Sequence, residues 1–142
     1  MRNYELFPHP ADQGIRGYGE TLEEAFQEIA KALQSIMADL DKVENKKTSK
    51  IKIEAEDTES LLIKWLNELL YLFDVKGTIY KEFKVKINKD KKVLKAEVKG
   101  EEYNIEKHGP GDIVKAITYN ELKIEKREGK KQRWMVQCVV DM

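Results

Sequence analysis

Apolar residues recur at three- and four-residue steps in two stretches of this chain, and at every second residue in several others. Leu22, Ala25, Phe26, Ile29, Leu33, Ile36, Met37 and Leu40 form one stripe, with Glu23, Gln27, Glu28, Lys31 and Gln34 lying off it. That spacing predicts an amphipathic helix of about five turns. It opens on Thr21-Leu22-Glu23-Glu24, a capping box in which the Thr21 hydroxyl and the Glu24 carboxylate satisfy opening amides. A second helix opens at Asp57-Thr58-Glu59-Ser60 and carries Leu61, Leu62, Trp65, Leu66, Leu69, Leu70 and Phe73. Its apolar face is the wider, so it is expected to be the more deeply buried of the two.

Strand-like alternation fills much of the rest. Ile51, Ile53 and Ala55 oppose Lys50, Lys52 and Glu54; Phe83, Val85 and Ile87 oppose Lys84 and Lys86; Leu94, Ala96 and Val98 repeat the pattern after a turn at Asn88-Lys89-Asp90-Lys91. A strand from Ala116 to Ile124 is expected to pair with one from Arg133 to Val140 through Arg127-Glu128-Gly129-Lys130. His108-Gly109-Pro110-Gly111-Asp112 marks a loop. Helices and hairpins are segregated, which predicts an α+β fold: a largely antiparallel β-sheet packed against two main α-helices, in one domain over residues 1–142.

Composition narrows the function classes. Across 142 residues, 26 Lys plus Arg balance 26 Asp plus Glu, which argues against a general nucleic-acid coat protein. Charged residues reach 37% beside 41% hydrophobic, a heavily charged surface on a folded protein rather than disorder. The charge is uneven. Residues 1–41 hold eight acids and three bases, 54–74 six acids and one base, and 81–99 eight lysines against three acids. These are either plain solvated faces or a dipolar molecule whose acidic side meets a cation or a basic partner. Cys138 is the single cysteine, which excludes an intrachain disulfide and a Cys-based zinc site; its valine neighbours predict a buried, inert thiol. No apolar run approaches the ~18 residues of a membrane span, and Met1-Arg2-Asn3-Tyr4-Glu5 lacks the apolar segment of a secretory leader. A cytoplasmic location is expected.

Two segments carry candidate chemistry. In His9-Pro10-Ala11-Asp12-Gln13-Gly14-Ile15-Arg16-Gly17-Tyr18-Gly19, three glycines within six residues permit close backbone approach, and Asp12 either caps a turn or binds a hard cation. The other is the end of the sequence, an apolar, β-prone run finishing in Asp141-Met142 and expected to be held in the sheet. Asp141 and the α-carboxylate of Met142, joined by Asp12, make an oxygen cage suited to Ca²⁺ or Mg²⁺. His9 and His108 are the only histidines, so a three-His zinc site is excluded. A third cluster, Lys99-Gly100-Glu101-Glu102-Tyr103 with His108 and Val114-Lys115-Ala116-Ile117-Thr118-Tyr119, shows no activated nucleophile; Lys115, flanked by Val114, Ala116 and Ile117, reads as the outward residue of a strand. No P-loop, Gly-x-Ser-x-Gly or His-Glu-x-x-His is present.

Taken in order, His9-Pro10-Ala11-Asp12 with Gly14-Ile15, Thr21-Leu22-Glu23-Glu24, Leu61-Leu62 with Trp65-Leu66-Asn67-Glu68-Leu69-Leu70, Gly100-Glu101, Val114-Lys115-Ala116-Ile117-Thr118-Tyr119 and Asp141 resemble the archease family over nearly the whole chain. The resemblance implies a small cytoplasmic cofactor protein, not itself an enzyme. It would assist the tRNA-splicing ligase RtcB, which joins RNA ends through a histidine–GMP intermediate in a metal-dependent reaction. The family's metal-associated positions fall on Asp12, Asp141 and Met142, with a divalent ion expected there, Ca²⁺ first and Mg²⁺ or Mn²⁺ as alternatives. Lys115 matches a position tied to ligase activation. The rival readings are a metal-dependent hydrolase on the same carboxylates, a chaperone-like protein acting on other RNA-modifying enzymes, and an RNA-binding module using the lysines of residues 81–99.

Overall fold

The computed structural model describes residues 3–142; Met1 and Arg2, which open the stretch read above for a leader, lie outside it. In chain order the elements are β1 (Tyr4–His9), β2 (Asp12–Gly19), α1 (Leu22–Met37), β3 (Lys47–Glu54), α2 (Thr58–Asp74), β4 (Thr78–Ile87), β5 (Val93–Glu102), α3 (Ile105–His108), β6 (Ala116–Ile117), β7 (Lys123–Lys126) and β8 (Trp134–Asp141). One turn of 3₁₀ helix, Leu40–Lys42, follows α1. The α+β class holds, and every strand pair is antiparallel. The strands divide into two sheets rather than one. In the first, β1, β2 and β8 run side by side, and the far edge of β8 pairs with β6 and β7; the second has the order β3-β5-β4.

Helix α1 joins the two sheets. It lies against β2 of one and β4 of the other. Its Gln27 Oε1 accepts from the Val85 N–H at 2.9 Å, and Gln34 Oε1 from the Tyr80 N–H at 3.0 Å. Two glutamines two turns apart thus cover the open edge of β4, whose amides would otherwise be unpaired. This reverses the expected burial order. α1 buries ten of its sixteen residues, Gln34 among them, whereas α2 buries seven of seventeen. A helix between two sheets is enclosed on more sides than its apolar stripe indicates. α2 docks through Trp65, whose Nε1–H donates to the Phe26 carbonyl at 3.0 Å and whose ring meets Phe83 edge-on.

Other expectations are corrected locally. The Thr21 hydroxyl accepts from the Glu24 N–H at 3.1 Å, but the reciprocal bond of a capping box is absent among the described residues. α1 stops at Met37 rather than Leu40, because the Asp39 amide is drawn off to the His108 carbonyl at 2.9 Å. The strand expected over Ala116–Ile124 is broken in two. Thr118 Oγ1 donates to the Val139 carbonyl and accepts from the Asn120 N–H, and Glu121 adopts a φ of 56°, which turns the chain out of the ladder. The glycine-rich segment forms strand β2. A Cβ on Gly17 would lie 2.4 Å from the Ile29 nitrogen, so that glycine lets α1 rest directly on the strand.

Candidate functional site

The β1–β2 hairpin turns tightly at Pro10-Ala11, with Ala11 at a φ of 62°. This places Asp12 at the first position of β2. β8 is the inner neighbour: Gln13 pairs with Val140, so one further step brings Asp12 level with Asp141. The contact is direct, since the Met142 N–H points to Asp12 Oδ1 at 3.4 Å. On the opposite side of β8, Ala116 pairs with Asp141, and the Lys115 N–H donates to the Asp141 carbonyl at 2.7 Å. Asp12, Asp141, Met142 and Lys115 therefore gather where three strands end together. They come from positions up to 130 residues apart.

Exposure is graded across this tip. Asp12 and Met142 are half-buried, while Asp141 and Lys115 are exposed and Val114 behind Lys115 is buried. His9 joins the cluster without having been singled out by spacing. Its Nδ1 is 4.0 Å from Asp12 Oδ2, buried, and has no hydrogen-bond partner among the described residues. Gln13 is tied elsewhere, donating to the Phe7 and Gly14 carbonyls. Arg16 is likewise engaged by Glu5 and Gln137 and lies over the Phe7 ring.

The donors at the tip are hard oxygens, which suit Ca²⁺, Mg²⁺ or Mn²⁺ rather than a soft metal. Among the described residues no three His, Cys, Asp or Glu side chains converge as a metal-ligating group. The side-chain carboxylates here number two, and any further oxygens are main-chain. Since Ca²⁺ takes about six to eight oxygens, the residues fit an open, partial site rather than a closed cage.

A second cluster differs in kind. Glu101, near the end of β5, is only 6% exposed and is surrounded by donors. The Lys107 ammonium lies 2.9 Å away, the Glu44 N–H donates at 2.7 Å and His108 Nε2 lies at 3.0 Å. His108 Nδ1 accepts from the Asn104 N–H at 2.9 Å, which puts the ring proton on Nε2, where it is donated to Glu101. Lys107, opposed by burial and supported by the Glu44 amide and the His108 ring, holds the Glu101 carboxyl down at about 2. The sequence groups Glu101 with His108 in one cluster; the hydrogen bond between them and the Lys107 ion pair come from the structure. Cys138 is fully buried and its thiol is pushed up to about 12 by burial, so it is inert as expected.

Comparison with known proteins gives a consistent result. The model of the Archease protein family (MTH1598/TM1083) matches residues 4–142. The chain is 49% identical to Protein archease of Pyrococcus furiosus and 46% identical to that of Thermococcus kodakarensis, each over 144 aligned positions covering all of both chains. The solution structure of Methanobacterium thermoautotrophicum Protein 1598 superposes with a TM-score of 0.80 at 32% identity over the whole of both chains. A Thermotoga maritima crystal structure, described as an archease and possible chaperone, shares the fold at a TM-score of 0.57 and 20% identity, over 97% of this chain and 96% of that one.

Proposed function

This chain belongs to the archease family, and from that membership we propose that it is a non-enzymatic, cytoplasmic activator of an RtcB-type RNA ligase. In this reading it promotes ligase guanylylation and multiple turnover through a divalent-cation site at the tip of the first sheet. The observation that carries the reading is the meeting of Asp12 with the Asp141-Met142 end of β8. Two carboxylates on neighbouring strand ends repel each other, and among the described residues Asp12 has no donor comparable to those around Glu101.

Asp12, Asp141 and the main-chain oxygens of Met142 would hold the ion, Ca²⁺ in the first instance. Bound there, the cation would neutralise the carboxylates and leave coordination positions for phosphate oxygens. The hairpin turn fixes the backbone of Asp12, and pairing with Ala116 fixes that of Asp141, so the two strand ends are placed before the partner arrives. Lys115, exposed and anchored through its amide to Asp141, would present its ammonium to the ligase or to the nucleotide. Activation then requires tighter binding to the nucleotide-competent form of the ligase than to the other form. At this tip, involvement with tRNA is indirect, through the ligase. A free-standing hydrolase is disfavoured because two-metal hydrolysis needs more ligands than the tip supplies.

The test is an Asp12→Asn, Asp141→Asn double variant in a guanylylation assay with the cognate ligase. Loss of stimulation by a folded variant is the expected result; stimulation equal to the unaltered protein overturns the cation-site reading.

A further inference from the structure

The outer face of the second sheet carries an arrangement that the function above does not use. Lys52 of β3 lies directly opposite Lys95 of β5, and Lys95 directly opposite Lys86 of β4. Three lysines thus form one row across the sheet. The next row on the same face is Lys50, Glu97 and Lys84. Five lysines surround one glutamate along a shallow groove of about 430 Å³. Among the described residues, Lys52 alone of the five has an ion pair, to Glu54 at 3.4 Å. The inward positions of the same strands, including Ile51, Phe83, Val85 and Leu94, are buried, so this face points away from the core.

Like charges placed directly opposite one another on neighbouring strands destabilise a sheet. The row therefore works against the fold, in a chain whose formal net charge is zero. We propose that this face binds the phosphate backbone of single-stranded RNA, without sequence preference. The choice of RNA among polyanions rests on the ligase reading above; the binding of a polyanion does not. Lysines recur about 4.8 Å apart across the strands and about 6.8 Å apart along them, a scale on which phosphates follow one another along an extended strand. The outward residues of the two rows include no aromatic or aliphatic side chain. That composition is depleted in protein–protein interface cores and suited to phosphate contacts. It also provides no platform for base stacking, which is why no sequence preference is expected.

The experiment measures fluorescence anisotropy of a labelled, mixed-sequence single-stranded RNA of about 12 nucleotides, titrated with the protein alone over a range of salt. One variant carries Lys52→Ser, Lys86→Ser and Lys95→Ser. A control of equal charge change carries Lys123→Ser, Lys130→Ser and Lys131→Ser, three exposed lysines outside the second sheet. The expected result is at least about tenfold weaker binding for the first variant, with the slope of log K against log salt reduced by about 2, and little change for the control. Thermal melting checks that the first variant is folded, and no loss of melting temperature is expected. Equal losses in both variants, no RNA binding by the unaltered protein, or equally tight binding of a polyglutamate of matched charge would each overturn the proposal. Because no ligase is present, failure here leaves the cation-site reading standing, and failure of the guanylylation test leaves this one standing.

Discussion

Glu101 and the Asp12–Asp141 pair are both acidic groups at strand ends, and they differ in how many donors the fold brings to them. Around Glu101 an ammonium, a backbone amide and an imidazole N–H converge on a carboxylate that water scarcely reaches. At the tip, Asp12 receives one long contact from the Met142 amide, and Asp141 faces solvent. A carboxylate whose acceptor positions are filled from within serves the fold, here by closing α3 onto β5. One left with vacant acceptor positions is free to serve a ligand. The donors around each group, not its charge, assign Glu101 to the fold and the Asp12–Asp141 pair to the proposed ligand site.

Asp12→Asn with Asp141→Asn is expected to reduce guanylylation stimulation by about tenfold or more while leaving the melting temperature nearly unchanged. Glu101→Gln should do the reverse. It leaves the His108 ring proton without a charged acceptor and the Lys107 ammonium with Glu44 alone, which should lower stability by about 2–3 kcal/mol in urea unfolding, with ligase stimulation retained in the folded fraction. Equal damage to stimulation from both changes would erase the distinction.

The acid limb sharpens it. The Glu101 carboxyl is held at about 2 in the folded state against an ordinary value of 4.5. A depressed folded value means that its contribution is fully present above pH 4.5 and is lost as the pH falls from there towards 2. Urea unfolding at pH 6 and pH 3 should therefore show a loss in the unaltered protein that is smaller in Glu101→Gln. A smaller effect still concerns the tip. Calcium at about ten times its dissociation constant should raise stability by roughly 1.4 kcal/mol in the unaltered protein and in Glu101→Gln, but not in the double aspartate variant.

Much of this arrangement is legible in the sequence because it is local. The hairpin turn at Asn88-Lys89-Asp90-Lys91, the caps at Thr21 and Asp57, and the alternation of β3, β4 and β5 depend on residues a few positions apart. What stays hidden depends on distant partners. Gly17 carries the same signal whether it lines a ligand loop or admits a helix, and only the nearness of Ile29 decides for the helix. Gln34 reads as a solvent-side residue until Tyr80, 46 positions away, supplies an amide for it. His9 has no spacing to mark it, and the row of Lys52, Lys95 and Lys86 exists only once β3 is paired with β5. The tip was accessible because a β-prone run ending in Asp141-Met142 implies a strand end, and a strand end needs a neighbour. The registers with β2 and β6 identify that neighbour on each side.

The most direct test of the proposed cation site is a calcium titration of the isolated protein followed by backbone amide chemical shifts. Saturable shifts are expected at residues 9–13, 115–116 and 139–142, with weak affinity in about the 10⁻⁴–10⁻³ M range, and none at Glu101 or His108. Shifts confined to the Glu101 cluster, or an absence of saturable shifts at the tip, would contradict the cation-site reading.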